Sequence, residues 1–302
     1  MTVPGFKVNL FLVGAPKAGT TAMSHYLADH PEICLASLKE PGYFNADFAN
    51  RAVTRLEDYL SLFAGGKKKA EYRLDASTRY LQSNCAIDNI LSYNPNAKFI
   101  VMLRNPLEMA PALHAQNVHD GYEDEMQFKR AWALETLRRN GEQIPLICIE
   151  PKMLFYREAC MLGEHFERLL DRVSTENLHV IIFDDFKKDT ARSYRDVLSF
   201  LGLPDDGKCS FERINRRRKY KYPRLQAVVL KLGNLKRRLG IHRGLGIHQF
   251  MNRHNVVNNA SPDAVPDELI KEMARFFRSD VEKLSSLLGR DLTCWLDCED
   301  AS

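Results

Sequence analysis

Residues 11–21 read Phe-Leu-Val-Gly-Ala-Pro-Lys-Ala-Gly-Thr-Thr. An apolar strand runs into a short loop that contains two glycines, and the loop runs into a helix. This arrangement directs several backbone N–H groups and a helix N-terminus at one point, which suits a phosphate or sulfate group. We therefore predict an anion-binding loop at the carboxyl end of the first strand.

The loop differs from a P-loop in the position of its lysine. A P-loop has the pattern Gly-x-x-x-x-Gly-Lys-Ser/Thr. Gly14 and Gly19 keep the glycine spacing, but Thr20 stands where the lysine should be, and the lysine is found inside the loop as Lys17. Such a lysine can still reach a bound anion, from the loop rather than from the helix.

The rest of the chain alternates short apolar runs with helical patterns. Apolar runs at 8–13, 71–74, 98–103 and 179–183 predict strands, and the patterns at 20–30, 127–140, 152–171, 192–201 and 267–288 predict helices. This alternation predicts an α/β protein with a P-loop-like three-layer fold, in which helices flank a central parallel sheet. Ligands of such sheets bind at the carboxyl ends of strands, where Gly14, Asp75, Arg104 and Asp184 lie. We expect one domain over residues 1–302, with a basic excursion at about 213–243.

Composition restricts the function classes. The chain has 302 residues and a net charge of +4, with 27% charged residues, which is ordinary for a soluble globular protein and weakly basic for a nucleic-acid-binding one. Seven scattered cysteines without a CxxC pair favour reduced thiols in the cytosol, although Cys294 and Cys298 are near enough in sequence to pair. The apolar run at 8–13 is too short to span a membrane. We expect a cytoplasmic protein with no membrane partner.

Four segments resemble a known family. Residues 14–21 look like the 5′-phosphosulfate loop of sulfotransferases that use 3′-phosphoadenosine 5′-phosphosulfate (PAPS). Lys-Glu-Pro-Gly-Tyr-Phe at 39–44 is similar to the acidic and aromatic segment of the heparan sulfate sulfotransferase branch, and Leu-Arg-Asn-Pro at 103–106 resembles the 3′-phosphate motif of that family. Residues 276–295 are similar to its closing helix, so that the resemblance covers roughly residues 7–296.

The resemblance implies PAPS as co-substrate and no requirement for a metal ion. In this interpretation Lys17 neutralises the oxygen that bridges phosphorus and sulfur, the loop and its threonines hold the 5′-phosphate, and Arg104 binds the 3′-phosphate. The basic stretch would fold over the nucleotide. The implied donor site consists of Pro16, Lys17, Ala18, Gly19, Thr20, Thr21, Arg104, Arg217, Arg218 and Lys219.

Glu40 is the candidate general base, because the acceptor must lose a proton as the sulfur is attacked. Three other residues compete for this role or a supporting one. His114 and His119 follow the Arg104 segment, and the cytosolic branch of the superfamily uses a histidine base. Asp75 begins a segment that resembles the Glu-Lys-Ser/Thr-Pro segment of the heparan sulfate branch, where it would orient Lys17 or the acceptor.

Two positions depart from the family pattern, and two other functions stay open. Ala76 stands where the family has a lysine, and Ala112 stands where a serine that binds the 3′-phosphate is expected. The first alternative is a nucleotide kinase or NTPase with a degenerate P-loop, using Asp184 or Asp185 after the strand at 179–183 to hold a metal. The second is a module that binds nucleic acid or another polyanion through residues 216–221. For the transferase, the acceptor is expected to be a hydroxyl, or less readily an amine, on a small molecule or a glycan.

Overall fold

The computed structural model describes residues 6–67, 69–212, 218–220, 256–258 and 265–297. Within these ranges, five parallel strands form a central sheet in the order β2-β3-β1-β4-β5. The strands are β1 (Leu10–Gly14), β2 (Ile33–Leu35), β3 (Tyr72–Asp75), β4 (Lys98–Leu103) and β5 (Leu178–Ile182). The parallel α/β fold with helices flanking the sheet is therefore confirmed.

Helices connect the strands, as parallel pairing requires. They are α1 (Thr20–Asp29), α2 (Leu56–Ser61), α3 (Ala86–Tyr93), α4 (Pro106–Asp120), α5 (Phe128–Ala133), α6 (Glu135–Arg139), α7 (Tyr156–Ala159), α8 (Leu162–Leu170), α9 (Phe183–Lys188), α10 (Thr190–Leu201) and α11 (Asp267–Leu288). Short 3₁₀ segments lie at Pro151–Leu154, Thr175–Asn177 and Thr293–Leu296.

The first strand lies at the centre of the sheet. Every residue of β1 is buried, and Leu10 lies beside Leu74 of β3 on one side and Lys98 of β4 on the other. A continuous apolar run suits a strand that is covered on both faces. Because all five strands run in one direction, the segments after Gly14, Leu35, Asp75 and Leu103 emerge at the same edge of the sheet.

Two of the helices predicted from the sequence are not continuous. The pattern at 152–171 forms a 3₁₀ segment, α7 and α8, because Phe155 and Met161 take non-helical backbone angles. The side chain of Asp280 on α11 accepts hydrogen bonds from the Gly163 and Glu164 amides at 2.8 and 2.9 Å, so it caps the first turn of α8 from another helix. The pattern at 127–140 is similarly divided into α5 and α6 at Leu134.

The ends of the chain and the basic excursion are described only in part. Of the stretch at 213–243, the backbone of Arg218–Tyr220 forms a strand, β6, that pairs antiparallel with Val256–Asn258, β7. Six cysteines within the described ranges are free thiols, and Cys298, the expected alternative partner of Cys294, lies outside those ranges. None of the described helices is both long enough and apolar enough to cross a membrane.

Candidate active site

Two glycines give the anion loop, residues 14–19, its shape. Gly19 precedes α1 with φ +89°, and a Cβ there would lie 3.0 Å from the rings of both Phe183 and Phe186. A Cβ on Gly14 would lie 2.8 Å from Cβ of Leu81. Both positions therefore require glycine, the first for its backbone conformation and both for space.

Backbone hydrogen bonds from the neighbouring strands hold this loop. The Ala15 amide donates to the Met102 carbonyl at 2.6 Å, and the Leu81 amide donates to the Val13 carbonyl at 2.9 Å. No side chain in the described part of the chain caps the N-terminus of α1. The first amides of that helix have no intrahelical acceptors, so they provide the donors that an anion needs.

Lys17 is half-buried in the loop and has φ +63°. Its Nζ donates to Oε1 of Gln116 at 3.1 Å, and its carbonyl accepts from the Arg104 guanidinium at 2.7 Å. Gln116 belongs to α4, 99 residues further along the chain. Gln116 was not predicted from the sequence, because nothing local to it signals that α4 passes the anion loop.

Arg104 follows β4 and is almost fully buried. Its Nε and one terminal nitrogen donate to Oε2 of Glu108 at 3.1 and 2.6 Å, and its guanidinium lies 4.6 Å from the ring centre of Phe183. Together with the bond to Lys17, these contacts fix the guanidinium beside the anion loop. A phosphate that binds here would share the guanidinium with the Glu108 carboxylate, whose side chain is about half exposed.

Glu40 lies at the start of the turn formed by residues 40–44, which we call the Glu40 turn. Its φ is +51°, and its Oε2 accepts a hydrogen bond from the Thr78 hydroxyl at 3.1 Å. The Lys39 ammonium lies 3.8 Å from its other oxygen. The Glu40 side chain is 34% exposed, so it is open to a substrate.

Glu40 shares one cleft with the N-terminus of α1. This cleft has a volume of about 110 Å³. Its lining consists of Thr20, Thr21, Ser24, His25, Leu35, Ala36, Ser37, Leu38, Lys39, Glu40, Ala76 and Thr78. The two threonines of the predicted anion site and the predicted base therefore face the same space. Ala76, which departs from the family pattern, lines it as well.

Asp75 ends β3 and is fully buried. Its carboxylate accepts hydrogen bonds from Ser77 at 2.6 Å, Tyr80 at 2.8 Å and Tyr59 at 2.9 Å. Burial raises the pKa of Asp75 to about 6, against the opposing effect of these three hydroxyls. The negative charge of Glu40 raises this pKa further. Asp75 is thus close enough to Glu40 for the charge of Glu40 to raise its pKa. Three hydroxyl groups enclose its carboxylate.

The candidate histidines lie on α4. His114 is buried, its Nε2 lies 2.8 Å from the Glu125 carbonyl, and its ring packs against Phe128 and Tyr156. Burial lowers the pKa of His114, because the charged imidazolium is poorly solvated there. His119, in the last turn of α4, is half-buried. Ala112, the other departure from the family pattern, is also on this helix.

The two aspartates that the kinase alternative needs have protein partners. Asp184 and Asp185 lie in the first turn of α9, not on β5. Asp184 accepts from the Trp295 indole at 2.9 Å and pairs with Lys187, while Asp185 binds the Arg290 guanidinium through both oxygens. Arg290 lowers the pKa of Asp185. Across the described ranges, no cluster of three or more His, Cys, Asp or Glu side chains is arranged to hold a metal ion.

The three basic residues predicted to cover the nucleotide are described only in part. Arg217 is not among the described residues. Arg218 and Lys219 belong to β6, opposite Asn258 and Val257 of β7. Their assignment to the donor site stays a prediction.

The chain is similar to proteins of a known family. The family model described as "Sulfotransferase domain" matches residues 7–246. The chain is 32% identical over 103 residues to the membrane-associated sulfotransferase kil1 of Dictyostelium discoideum, which covers 33% of this chain and 21% of that protein. It is 22% identical over 208 residues to the bifunctional heparan sulfate N-deacetylase/N-sulfotransferase 1 of Caenorhabditis briggsae, which covers 65% of this chain and 23% of that protein. The matches thus span less than about a quarter of the length of these two curated relatives.

A solved structure has the same fold. The crystal structure of a sulfotransferase from Alicyclobacillus acidocaldarius superposes with a TM-score of 0.71 at 24% sequence identity. The superposition covers 97% of this chain and 100% of that one.

Proposed function

Since this chain belongs to the sulfotransferase domain family, we propose that it transfers a sulfuryl group from PAPS to a hydroxyl group of an acceptor. The observation that carries the proposal is the cleft in which Thr20 and Thr21, at the N-terminus of α1, face the same space as Glu40. Sulfuryl transfer needs an anion site for the donor and a proton acceptor beside it. The shared cleft supports assigning Thr20 and Thr21 to the first and Glu40 to the second.

The proposed reaction is an in-line displacement at sulfur. The acceptor oxygen forms a bond to sulfur while the bond from sulfur to the bridging phosphate oxygen breaks, and the electron pair of that bond stays on the phosphate. The acceptor proton passes to the Glu40 carboxylate. The products are the sulfate ester and adenosine 3′,5′-bisphosphate. A positioned carboxylate base contributes about 10²–10⁴-fold to such a rate.

Lys17 is the group that would neutralise the departing phosphate. Its position inside the anion loop would bring its ammonium near an anion bound at the N-terminus of α1. Preorganised donors of this kind contribute about 3–4 kcal/mol each, as judged from oxyanion-hole deletions. The remaining loop residues, from Pro16 to Thr21, are proposed to hold the 5′-phosphate through backbone amides and hydroxyls.

Arg104 is proposed to bind the 3′-phosphate. A guanidinium suits a phosphate because it donates two parallel hydrogen bonds. Its contact with the Lys17 carbonyl supports this role, since it holds the guanidinium next to the anion loop. Without the serine expected at Ala112, the charge-assisted bonds of this arginine carry more of the 3′-phosphate affinity. Arg217, Arg218 and Lys219 are proposed as additional contacts to the nucleotide.

We assign the base role to Glu40 rather than to His114 for a structural reason. The Glu40 carboxylate lines the cleft and is partly exposed. His114 is buried, and its Nε2 is taken by a backbone carbonyl. A base must reach the proton that it removes. The acceptor itself is proposed to be a small molecule or a glycan, and the protein to act in the cytoplasm without a membrane or nucleic-acid partner.

The decisive experiment compares ligands by thermal shift on the purified protein. Adenosine 3′,5′-bisphosphate should raise the melting temperature, because a ligand that binds only the folded state adds about 2.7 kcal/mol of stability at a hundredfold excess over Kd. Adenosine 5′-phosphosulfate, which lacks the 3′-phosphate, should give a smaller shift. In Arg104→Lys the difference between these two ligands should shrink, since lysine cannot form the bidentate contact.

Transfer itself is then assayed with ³⁵S-labelled PAPS and a panel of acceptors: methyl glycosides, phenols, primary alcohols and a uronate-containing oligosaccharide. Stabilisation by ATP with magnesium but not by the bisphosphate would favour the kinase alternative. Tight, strongly salt-dependent binding of DNA or RNA without any donor binding would favour the nucleic-acid alternative. Either result would overturn the proposal.

A further inference from the structure

We propose that Asp75 is a positioning residue for Glu40: its carboxylate orients two hydroxyl groups that bind backbone amides in the Glu40 turn and so fix the direction of the Glu40 side chain. This inference rests on the proposed function in one respect, the assignment of Glu40 as the base. It assigns Asp75 a task different from orienting Lys17 or the acceptor.

The first arm of this arrangement runs through Ser77. The Ser77 hydroxyl donates its proton to Oδ1 of Asp75 at 2.6 Å, and its oxygen accepts a hydrogen bond from the Gly42 amide at 3.1 Å. Gly42 is two residues after Glu40 and has φ +64°. The carboxylate therefore reaches the middle of the Glu40 turn through one hydroxyl.

The second arm runs through Tyr80 to the other end of the turn. The Tyr80 hydroxyl donates to Oδ2 of Asp75 at 2.8 Å, and its oxygen accepts from the Phe44 amide at 3.3 Å. Tyr59 donates to the same carboxylate oxygen at 2.9 Å. Among the described residues, the Tyr59 hydroxyl makes no other hydrogen bond, so it does not reach the Glu40 turn. Tyr59 therefore offers a matched comparison with Tyr80.

The charge of the carboxylate is what sets the direction of these bonds. A hydroxyl group has one proton, and an ionised carboxylate can only accept hydrogen bonds. Ser77 and Tyr80 must therefore give their protons to Asp75, which leaves their lone pairs for the amides of the turn. An asparagine of the same size carries two donors in place of one oxygen, so it cannot accept from all three hydroxyls.

The neighbouring residue Thr78 completes the support. It lies between Ser77 and Tyr80 and donates directly to the Glu40 carboxylate at 3.1 Å. Asp75, Ser77 and Thr78 are all nearly fully buried. The segment after β3 thus binds both the backbone amides of the Glu40 turn and the Glu40 side chain. Hydrogen bonds in such a buried network depend on each other, so that loss of the central acceptor affects both arms.

The first test measures the turn itself and needs no acceptor. Amide hydrogen exchange over residues 40–45 is compared in wild type, Ser77→Ala, Tyr80→Phe, Asp75→Asn and Tyr59→Phe. We expect about tenfold faster exchange of the Gly42 amide in Ser77→Ala, of the Phe44 amide in Tyr80→Phe, and of both in Asp75→Asn. Tyr59→Phe should leave both amides unchanged. Unchanged exchange in the first three variants, or equal acceleration in Tyr59→Phe, would overturn the proposal.

The second test asks whether the effect passes through Glu40. With the best acceptor of the panel, Ser77→Ala and Tyr80→Phe should each lower kcat by about tenfold at unchanged KM for PAPS, since small misplacements of a reacting group are costly. In a Glu40→Gln background the same substitutions should lower kcat no further, because the carboxylate that Ser77 and Tyr80 position is already absent. Losses that multiply in this background would mean that these residues act elsewhere, and would overturn the proposal.

The two proposals fail differently. If Glu40→Gln retains wild-type kcat, the base assignment is wrong, while the exchange data still decide whether Asp75 fixes the turn. If Glu40→Gln is inactive but exchange at Gly42 and Phe44 is insensitive to Asp75, the base assignment survives and the positioning role is wrong.

Discussion

The N-terminus of α1, which follows the anion loop, lines one cleft with Glu40, yet the anion loop and the Glu40 turn are held in different ways. The anion loop is anchored by backbone bonds to the adjacent strand β4 and to the segment after β3, and its shape comes from Gly14 and Gly19. The Glu40 turn is held by side-chain hydroxyls that converge on one buried carboxylate. The comparison indicates that donor geometry is built into the fold, whereas acceptor geometry depends on a small polar network.

The largest effect is expected at Glu40. Glu40→Gln keeps the size of the side chain and its bond from Thr78 but removes the proton acceptor, so kcat should fall by about 10²–10⁴-fold while the affinity for adenosine 3′,5′-bisphosphate changes little. Steady-state kinetics with the best acceptor, together with titration of the bisphosphate, measure both quantities.

Glu57→Gln on the exposed face of α2 is the control, because its side chain is more than half exposed and makes the same chemical change away from the cleft. Wild-type kcat in purified Glu40→Gln would contradict the base assignment and would direct attention to His119.

A loss of about 10²–10³-fold in kcat is expected for Lys17→Ala, in line with removal of one preorganised donor. Lys39→Ala provides the contrast, because this lysine lines the cleft next to Glu40 and is well exposed. Replacement of Lys39 should lower kcat by less than about threefold, as expected for loss of an exposed ion pair. Equal losses in the two variants would mean that Lys17 acts only through general positive charge, and the distinction between the two sides would be lost.

The two sides also differed in how far the sequence predicted them. The anion loop is contiguous in sequence with its flanking elements, so residues 11–21 suffice to predict the strand before it, the loop and the start of the helix after it. The parallel sheet followed from apolar runs in the same way. In contrast, the contact between Ser77 and Gly42 spans 35 residues and that between Lys17 and Gln116 spans 99. Neither pair has a local pattern, because packing of separate elements brings them together.

The continuity of predicted helices shows the same limit. The pattern at 152–171 satisfies helical periodicity, but α8 begins at Leu162 with its first amides bound to Asp280, more than 100 residues away. Three-residue β2 was also missed, since a strand of this length carries too few residues to show a pattern. Sequence periodicity predicts which segments are helical, and distant side chains decide where they start.

The Glu40 side contains a buried carboxyl group, Asp75, whose titration should make stability depend on pH. The folded-state pKa of Asp75 is raised to about 6, above the 3.8 of an exposed aspartate, so its contribution to stability is fully present below about pH 4 and is lost as the pH rises through 6. Relative to Asp75→Asn, wild type should therefore lose about 1 kcal/mol of unfolding free energy between pH 5 and 7.5. Urea unfolding of both proteins at several pH values measures this difference.

All other titrating groups are common to the two proteins, so they cancel in the difference. A constant difference over this range would mean that the folded-state pKa of Asp75 is ordinary or lowered, because in both cases the carboxyl is already ionised throughout the range.

The smallest effect is expected at Gln116, whose side chain on α4 accepts a hydrogen bond from the Lys17 ammonium. Gln116→Leu removes a neutral acceptor from a half-buried ammonium, so kcat should fall by only about threefold. Asp120→Asn is the matched control, since Asp120 accepts a hydrogen bond from the amide nitrogen of the same Gln116 side chain at 3.3 Å. If the loss of kcat in Gln116→Leu instead approached that in Lys17→Ala, the anion loop would depend on a distant side chain, as the Glu40 turn does. The contrast between a donor site held by backbone bonds and a base held by side-chain bonds would then fail.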